Sequence, residues 1–213
     1  MSGLGPMEPR DRLSMSLGEA IFSLRAIRRV KPDPIPEADL RDILTAAIQA
    51  PNGGNAQPWH FLVVRDPELR AQLGTLYHEA WWAKRADEGI HGPEDLDTAN
   101  RVSASAMRLA DEFGEAPAIV LVCATAQGAG AMGSVIPSVE NLLLAARGLG
   151  VGGTITTLHA SVDERVKALL SIPPEIQIVY AVRLGYPRGR FGPVTRKPLT
   201  EVASLDRWGD ALA

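Results

Sequence analysis

Ala50–Val64 reads APNGGNAQPWHFLVV, and it decides the fold because a helix stop, a loop and a strand start all fall inside it. Upstream, Leu40, Ile43, Leu44, Ala47 and Ile48 follow the i, i+3, i+4, i+7, i+8 spacing of a core-facing helix that enters after Pro36 and is stopped by Pro51. Asn52-Gly53-Gly54-Asn55 is then a loop, and Trp59–Val64, bounded by Pro58 and Asp66-Pro67, is a short β-rich run that predicts a strand. Working outward, Pro67–Ala83 predicts a helix carrying Leu69, Leu73, Leu76 and Tyr77. Lys84–Thr98 has weak periodicity and reads as a mobile surface excursion of the kind that covers a substrate site. The neighbouring Trp81 and Trp82 read as packing residues ahead of a stacking platform.

A helix over Ala99–Phe113 and a strand over Pro117–Ala126 follow. Gln127–Gly133 reads as flexible, and Pro137-Ser138 as the start of a helix over Val139–Arg147 whose Leu142–Ala146 run is apolar nearly all round. Such a helix must be buried on most sides. Ser161 and Glu164 have capping-box spacing ahead of Val162, Val166, Leu169 and Leu170, and Ile176–Leu184 is the last clear strand. Residues 1–15 lack periodicity and are expected to be a poorly ordered extension; residues 16–213 form one domain. Strands and helices interleave irregularly, which predicts an α+β fold, one sheet with helices packed around it.

Composition narrows the partners. With 213 residues, 46% hydrophobic and 22% charged, and a mean hydropathy near zero, the chain reads as a soluble globular protein with room for a real core. No stretch of about 18 uncharged apolar residues is present, and MSGLGPMEPRDRLSM lacks the continuous apolar region of a secretory signal, so no membrane partner and a cytoplasmic location are expected. The single cysteine, Cys123, excludes an intrachain disulfide and reads as a small buried hydrophobe. A formal charge of −3 gives no electrostatic case for nucleic acid. The expected partner is a small molecule.

Gly148-Leu149-Gly150-Val151-Gly152-Gly153 satisfies GxGxxG literally, but the dinucleotide fingerprint needs a strand before it and a helix after it. Here an apolar helix precedes and the β-branched Thr154–Thr157 follows, so the glycines close a helix. Their amides, free of side chains, could bond the edge of a flat ligand. Basic residues fall in two segments, Arg25 to Arg29 and Arg188 to Lys197. Each alone reads as solvated charge; together in space they would make a phosphate site, because the planar guanidinium donates two parallel bonds. His60, His78, His91 and His159 show no metal-ligand spacing, and no GxSxG elbow is present. What remains is the inventory for holding a cofactor that does its own chemistry.

Pro51-Asn52-Gly53-Gly54-Asn55-Ala56-Gln57-Pro58-Trp59 resembles the P-S-x-x-N-x-Q-P-W flavin loop of the nitroreductase family. Leu24-Arg25-Ala26-Ile27-Arg28 through Pro32-Asp33-Pro34 is similar to that family's R-R-S-x-R segment and P-D-P, with Leu24 in place of the first arginine and Ala26 in place of the serine. Asn141–Gly153 resembles its apolar helix and glycine turn, and Leu184–Pro187 through Arg196–Leu199 its terminal basic segment.

The resemblance implies a mixed, mainly antiparallel sheet surrounded by helices, a homodimer with FMN between the subunits, and NADH or NADPH as reductant. It implies that Arg25, Arg196 and Lys197 grip the FMN phosphate, with Ala26 beside them. Arg28 would face the N1/C2-carbonyl side of the ring, Asn52, Asn55 and Gln57 would line the loop side, and the Val151, Gly152 and Gly153 backbone would reach the N5/O4 edge. The activity implied is hydride transfer through flavin N5 to a nitroaromatic, quinone or similar electrophile, with ping-pong kinetics and no catalytic side chain. Other branches of the family fragment flavin, dehalogenate aromatic rings or oxidise heterocycles, and a flavin-binding protein without turnover is the reading from a different class.

Overall fold

The computed structural model describes residues 8–97 and 99–212. Four strands, β1 (Trp59–Val64), β2 (Ala118–Ala124), β3 (Gly152–Thr156) and β4 (Gln177–Gly185), form one sheet in the order β1-β2-β4-β3. Every pairing is antiparallel. Trp59 faces Ala124 on β2, Ala118 faces Leu184 on β4, and Gly152 faces Gly185. Pro58 and Asp66-Pro67 bracket β1, Pro117 stands just before β2 and Pro187 lies two residues beyond β4, in keeping with proline's place at strand ends.

All seven residues of β2 are buried, because helices cover both faces of the sheet. On one face Val120, Val122, Val182 and Leu184 pack with Leu40 and Ile43 of α3 (Glu37–Ala47) and Leu142 and Ala146 of α6 (Ala129–Gly148). On the other, Ile119, Leu121, Cys123 and Ala181 pack with Leu73, Leu76 and Trp81 of α4 (Pro67–Asp87), Leu109 of α5 (Arg101–Glu112) and Val166 of α7 (Asp163–Leu170). The alternation along β2 is the two-residue period of a pleated strand. Trp81 is core, as its packing reading expects.

Four local expectations need correction. The helix expected to end at Ala83 continues to Asp87: Arg85 lies over the Trp81 ring at 5.4 Å and pairs with Glu88 at 2.7 Å, and cations near a helix C-terminus are favoured. Beyond it Leu96 is buried in the second core, so part of the presumed excursion is anchored, while Thr98 lies outside the described residues. Second, α6 starts at Ala129, ten residues before the expected Val139. Pro137 sits inside it, where the missing N–H leaves the Gly133 carbonyl free, and Ser138 Oγ turns in to donate to Val135 O at 2.6 Å. Although α6 is long and apolar enough to cross a bilayer by composition, Val135, Val139, Leu142 and Ala146 bury it in the core.

Third, Ser161 does not cap α7. Its Oγ donates to Leu158 O at 3.0 Å within a short 3-10 turn that runs into the helix. Fourth, the extension expected over residues 1–15 contains α1 (Pro9–Arg12), tied down because Arg12 pairs with both Asp39 and Asp42 of α3. Residues 1–7 of that expectation lie outside the described residues.

Candidate functional site

Helix α2 (Leu17–Ser23) is capped by Ser16, whose Oγ accepts from Glu19 N–H at 3.1 Å, and it releases the chain into an extended segment at Leu24. That segment is laced to the free edge of β3: Ile27 N–H donates to Gly153 O at 2.9 Å, and Thr154 Oγ1 donates to Ile27 O at 2.6 Å. The approach is so close that a Cβ on Gly152 would stand 2.7 Å from Ile27 Cβ. A few residues on, Val30 bridges to Pro187, and the amides of Lys31 and Arg188 donate to Tyr186 O and Arg29 O. The first basic segment is thereby stitched to the strand edge on one side and to the chain leaving β4 on the other.

The consequence is an open cleft of about 620 Å³ at the β3 edge. Arg25, Ala26, Gly153 and Arg196 line it, with Leu143 of α6, Ile155, Val194 and Phe22 as apolar walls. The two basic segments therefore meet, as a phosphate site requires. Neither Arg25 nor Arg196 has a salt-bridge partner among the described residues; Arg196 Nη1 donates to its neighbour Thr195 O at 3.1 Å. Glu140 is the one carboxylate lining the cleft.

The other sequence-derived candidates do not line this cleft. Arg28 is half-buried, its carbonyl accepts from Arg183, and its charge bears on Tyr77. Burial holds the Tyr77 phenol above its ordinary value, opposed by the Thr156 hydroxyl and by Arg28. Lys197 is exposed. Val151 is buried, its N–H closing α6 by donating to Ala146 O at 2.8 Å past Gly150 at φ +74°, which is the helix end the glycine run suggests. Gly152 packs closely against Ile27.

The Asn52–Gln57 loop sits beside the first half of α6, where Gly53 N–H donates to Ser134 Oγ at 3.2 Å. Asn52 holds the loop itself, its Oδ1 accepting from Gln57 N–H at 2.9 Å. Asn55 and Gln57 are exposed and adopt φ +54° and +48°, conformations that cost a non-glycine residue and recur at functional sites.

Residues the sequence reading passed over also shape the cleft. Phe22, Glu140 and Ile155 line it; the clue for Glu140 was a lone acid in an apolar helix. Behind the wall Arg147 is buried, its Nε donating to Ser23 Oγ at 2.9 Å and its guanidinium 4.2 Å over the Phe191 ring. Arg183, a charge inside the otherwise apolar run of β4, is fully buried.

The chain is thus α+β, with an arginine-bearing cleft at the edge of an antiparallel sheet. A model of the Nitroreductase family matches residues 21–186, and the chain belongs to that family. An NADH dehydrogenase of Thermus thermophilus is 32% identical over 194 residues, which span 86% of this chain and 92% of that one. A 5,6-dimethylbenzimidazole synthase of Rhodospirillum rubrum is 31% identical over 185 residues, spanning 80% and 82%. Among solved structures, iodotyrosine deiodinase bound to FMN and 3-iodo-L-tyrosine superposes with a TM-score of 0.73 at 26% identity, covering 91% of this chain and 98% of that one.

Proposed function

We propose that the chain is an FMN-dependent oxidoreductase that transfers a hydride from NADH or NADPH to a nitroaromatic, quinone or similar electrophilic acceptor, working as a homodimer. The observation that carries this reading is that Arg25 and Arg196, cations from distant parts of the chain with no salt-bridge partner among the described residues, line one apolar-walled cleft. Two guanidinium groups set against a single lining carboxylate, Glu140, leave net positive charge that suits a phosphate. Leu143, Ile155 and Phe22 suit the flat apolar body that FMN carries on the same molecule, so the donor set fits the cofactor.

Bound there, FMN would supply the redox chemistry, accepting a hydride at N5 and passing it to the acceptor. The protein's part is then to bind, orient and exclude water. Arg25 and Arg196 would hold the phosphate, and Leu143 and Ile155 would supply apolar walls that exclude water. No side chain has to shuttle a proton. The loop residues Asn55 and Gln57 lie outside this cleft and would serve the cleft of a second copy. Leu17, Ile21, Phe22, Ile48 and Ile136 are large apolar side chains left exposed, which a second copy could cover.

The test is anaerobic mixing of the purified yellow protein with NADH and, separately, NADPH. Loss of the flavin's visible absorbance with one donor and its return on adding a quinone or nitroaromatic are expected. A flavin that neither donor reduces would sink the reading and leave a flavin-binding protein in its place. The relatives include a 5,6-dimethylbenzimidazole synthase and a deiodinase, so the acceptor screen should include an iodotyrosine and a search for flavin fragments.

A further inference from the structure

The segment that carries Arg25 into the cleft is neither helix nor strand, so contacts with the rest of the chain set its position. Backbone bonds from Ile27 N–H to Gly153 O and from Arg188 N–H to Arg29 O do part of this, and two side chains add a second grip. Thr154 of β3 and Arg183 of β4 are directly opposite each other in the sheet register. Thr154 Oγ1 donates to Ile27 O at 2.6 Å, and Arg183 Nη1 donates to Arg28 O at 2.6 Å. One cross-strand pair thus grips two consecutive carbonyls of the segment, two and three residues beyond Arg25.

Arg183 has a fixed base from which to do this. Its Nη2 donates to Glu112 O at 2.5 Å and its Nε to Phe113 O at 3.2 Å, the carbonyls left over where α5 ends. It is 0% exposed and forms no salt bridge among the described residues. A buried guanidinium without a carboxylate is costly compared with an apolar side chain of similar volume. That cost is offset by satisfying three carbonyls from two separate parts of the chain, with the charges of Glu112 and Glu115 adding attraction. Lysine, with one nitrogen, cannot span the same three acceptors in the planar geometry of the fork.

We propose that the Thr154–Arg183 pair is the positioning device of the cofactor cleft, fixing the register of residues 24–29 so that Arg25 points at the cofactor phosphate. This rests on the FMN reading above. It makes a distinction that a purely structural role does not: loosening the grip should weaken recognition of the phosphate more than recognition of the flavin ring.

The experiment compares FMN and riboflavin affinities, by quenching of flavin fluorescence, for flavin-free full-length wild type, Thr154→Val, Thr154→Ser and Arg183→Lys. Thr154→Val is nearly isosteric and keeps the fold testable if the arginine variant fails to fold. Leaving the buried Ile27 carbonyl unpaired by one hydrogen bond is expected to weaken FMN binding about tenfold, with riboflavin binding changed less than about twofold. Thr154→Ser, which restores the hydroxyl, should return the FMN preference toward wild type, and folded Arg183→Lys should lose it as Thr154→Val does. An FMN-to-riboflavin ratio that stays at the wild-type value in folded Thr154→Val, whether both affinities hold or both fall together, overturns the proposal. A wild-type chain with no preference for FMN over riboflavin overturns the phosphate reading of the cleft instead.

Discussion

Replacing Gly152 with alanine tests a close approach that positions one wall of the cleft. The added Cβ would stand 2.7 Å from Ile27 Cβ and Cγ1 and 2.8 Å from Cγ2, roughly 0.7 Å inside ordinary contact. No rotamer relieves this, because the first atom struck is the Ile27 Cβ itself. The Ile27 backbone has to retreat, and it is held by Gly153 O at 2.9 Å and Thr154 Oγ1 at 2.6 Å. Overpacking of this kind costs about 1–3 kcal/mol, and weakening one of two backbone-linked bonds adds about 1 kcal/mol, so a loss of roughly 2–4 kcal/mol is expected. For a chain of this length that lowers Tm by roughly 4–16 °C. Urea denaturation of the flavin-free protein measures the first quantity and calorimetry the second, with FMN affinity falling alongside because Arg25 moves with Ile27. Gly130→Ala is the control: nothing stands within 4 Å of its Cβ, and alanine in a helix should be neutral or stabilise by up to about 1 kcal/mol. If Gly152→Ala denatures at the same urea concentration as wild type, the edge of β3 is not clamped by this contact and the reasoning fails.

Cys123 is buried, and desolvation pushes its thiol up to about 11; a disulfide reagent should label it at pH 8 only as fast as the chain unfolds, and rapid labelling of native protein would contradict its placement on β2. His159 has its protonation depressed by burial, against the opposing pull of the Ile178 carbonyl and Asp163. With the folded value below the unfolded 6.5, the unfolded chain binds the proton first, so stability is present above about pH 6.5 and is lost as pH falls below it. A pH series of Tm should therefore be flatter on the acid side for His159→Gln, and parallel curves would refute this. Asn52→Ala removes the acceptor for Gln57 N–H and should cost about 0.5–1.5 kcal/mol while speeding amide exchange at Gln57; unchanged exchange there would show that Asn52 does not hold the loop.

The elements legible in the sequence were those whose ends are marked by chemistry of the chain itself. Pro58 and Asp66-Pro67 bracket β1, Pro36 opens α3, and Leu40, Ile43 and Ala47 of the expected stripe face the core, while Ile48 at its end is exposed. The first half of α6 was illegible because glycines and Pro137 read as breakers, whereas tertiary burial of Val135 and the Ser134 contact with the Gly53 amide outweigh local propensity. Arg25, Ala26, Gly153 and Arg196 could be placed together through the family resemblance, since no local pattern links residues so distant in sequence. Arg183 and Thr154 were missed for a physical reason: they grip backbone carbonyls, which every residue has and which leave no mark in the sequence.

The strand order has a consequence for how the chain reaches this state. No two neighbouring strands are joined by a hairpin: β1 must wait for β2 across α4 and α5, and β2, ending at Ala124, must wait for β4, which begins at Gln177. Because loop closure precedes any reward from such pairings, sheets built from distant contacts fold slowly, in milliseconds to seconds. During synthesis Ala118–Ala124, uniformly apolar and rich in β-branched residues, leaves the ribosome long before its central partner exists. That interval, and the stickiness of AIVLVCA while it lasts, makes β2 the segment through which overproduced protein would aggregate.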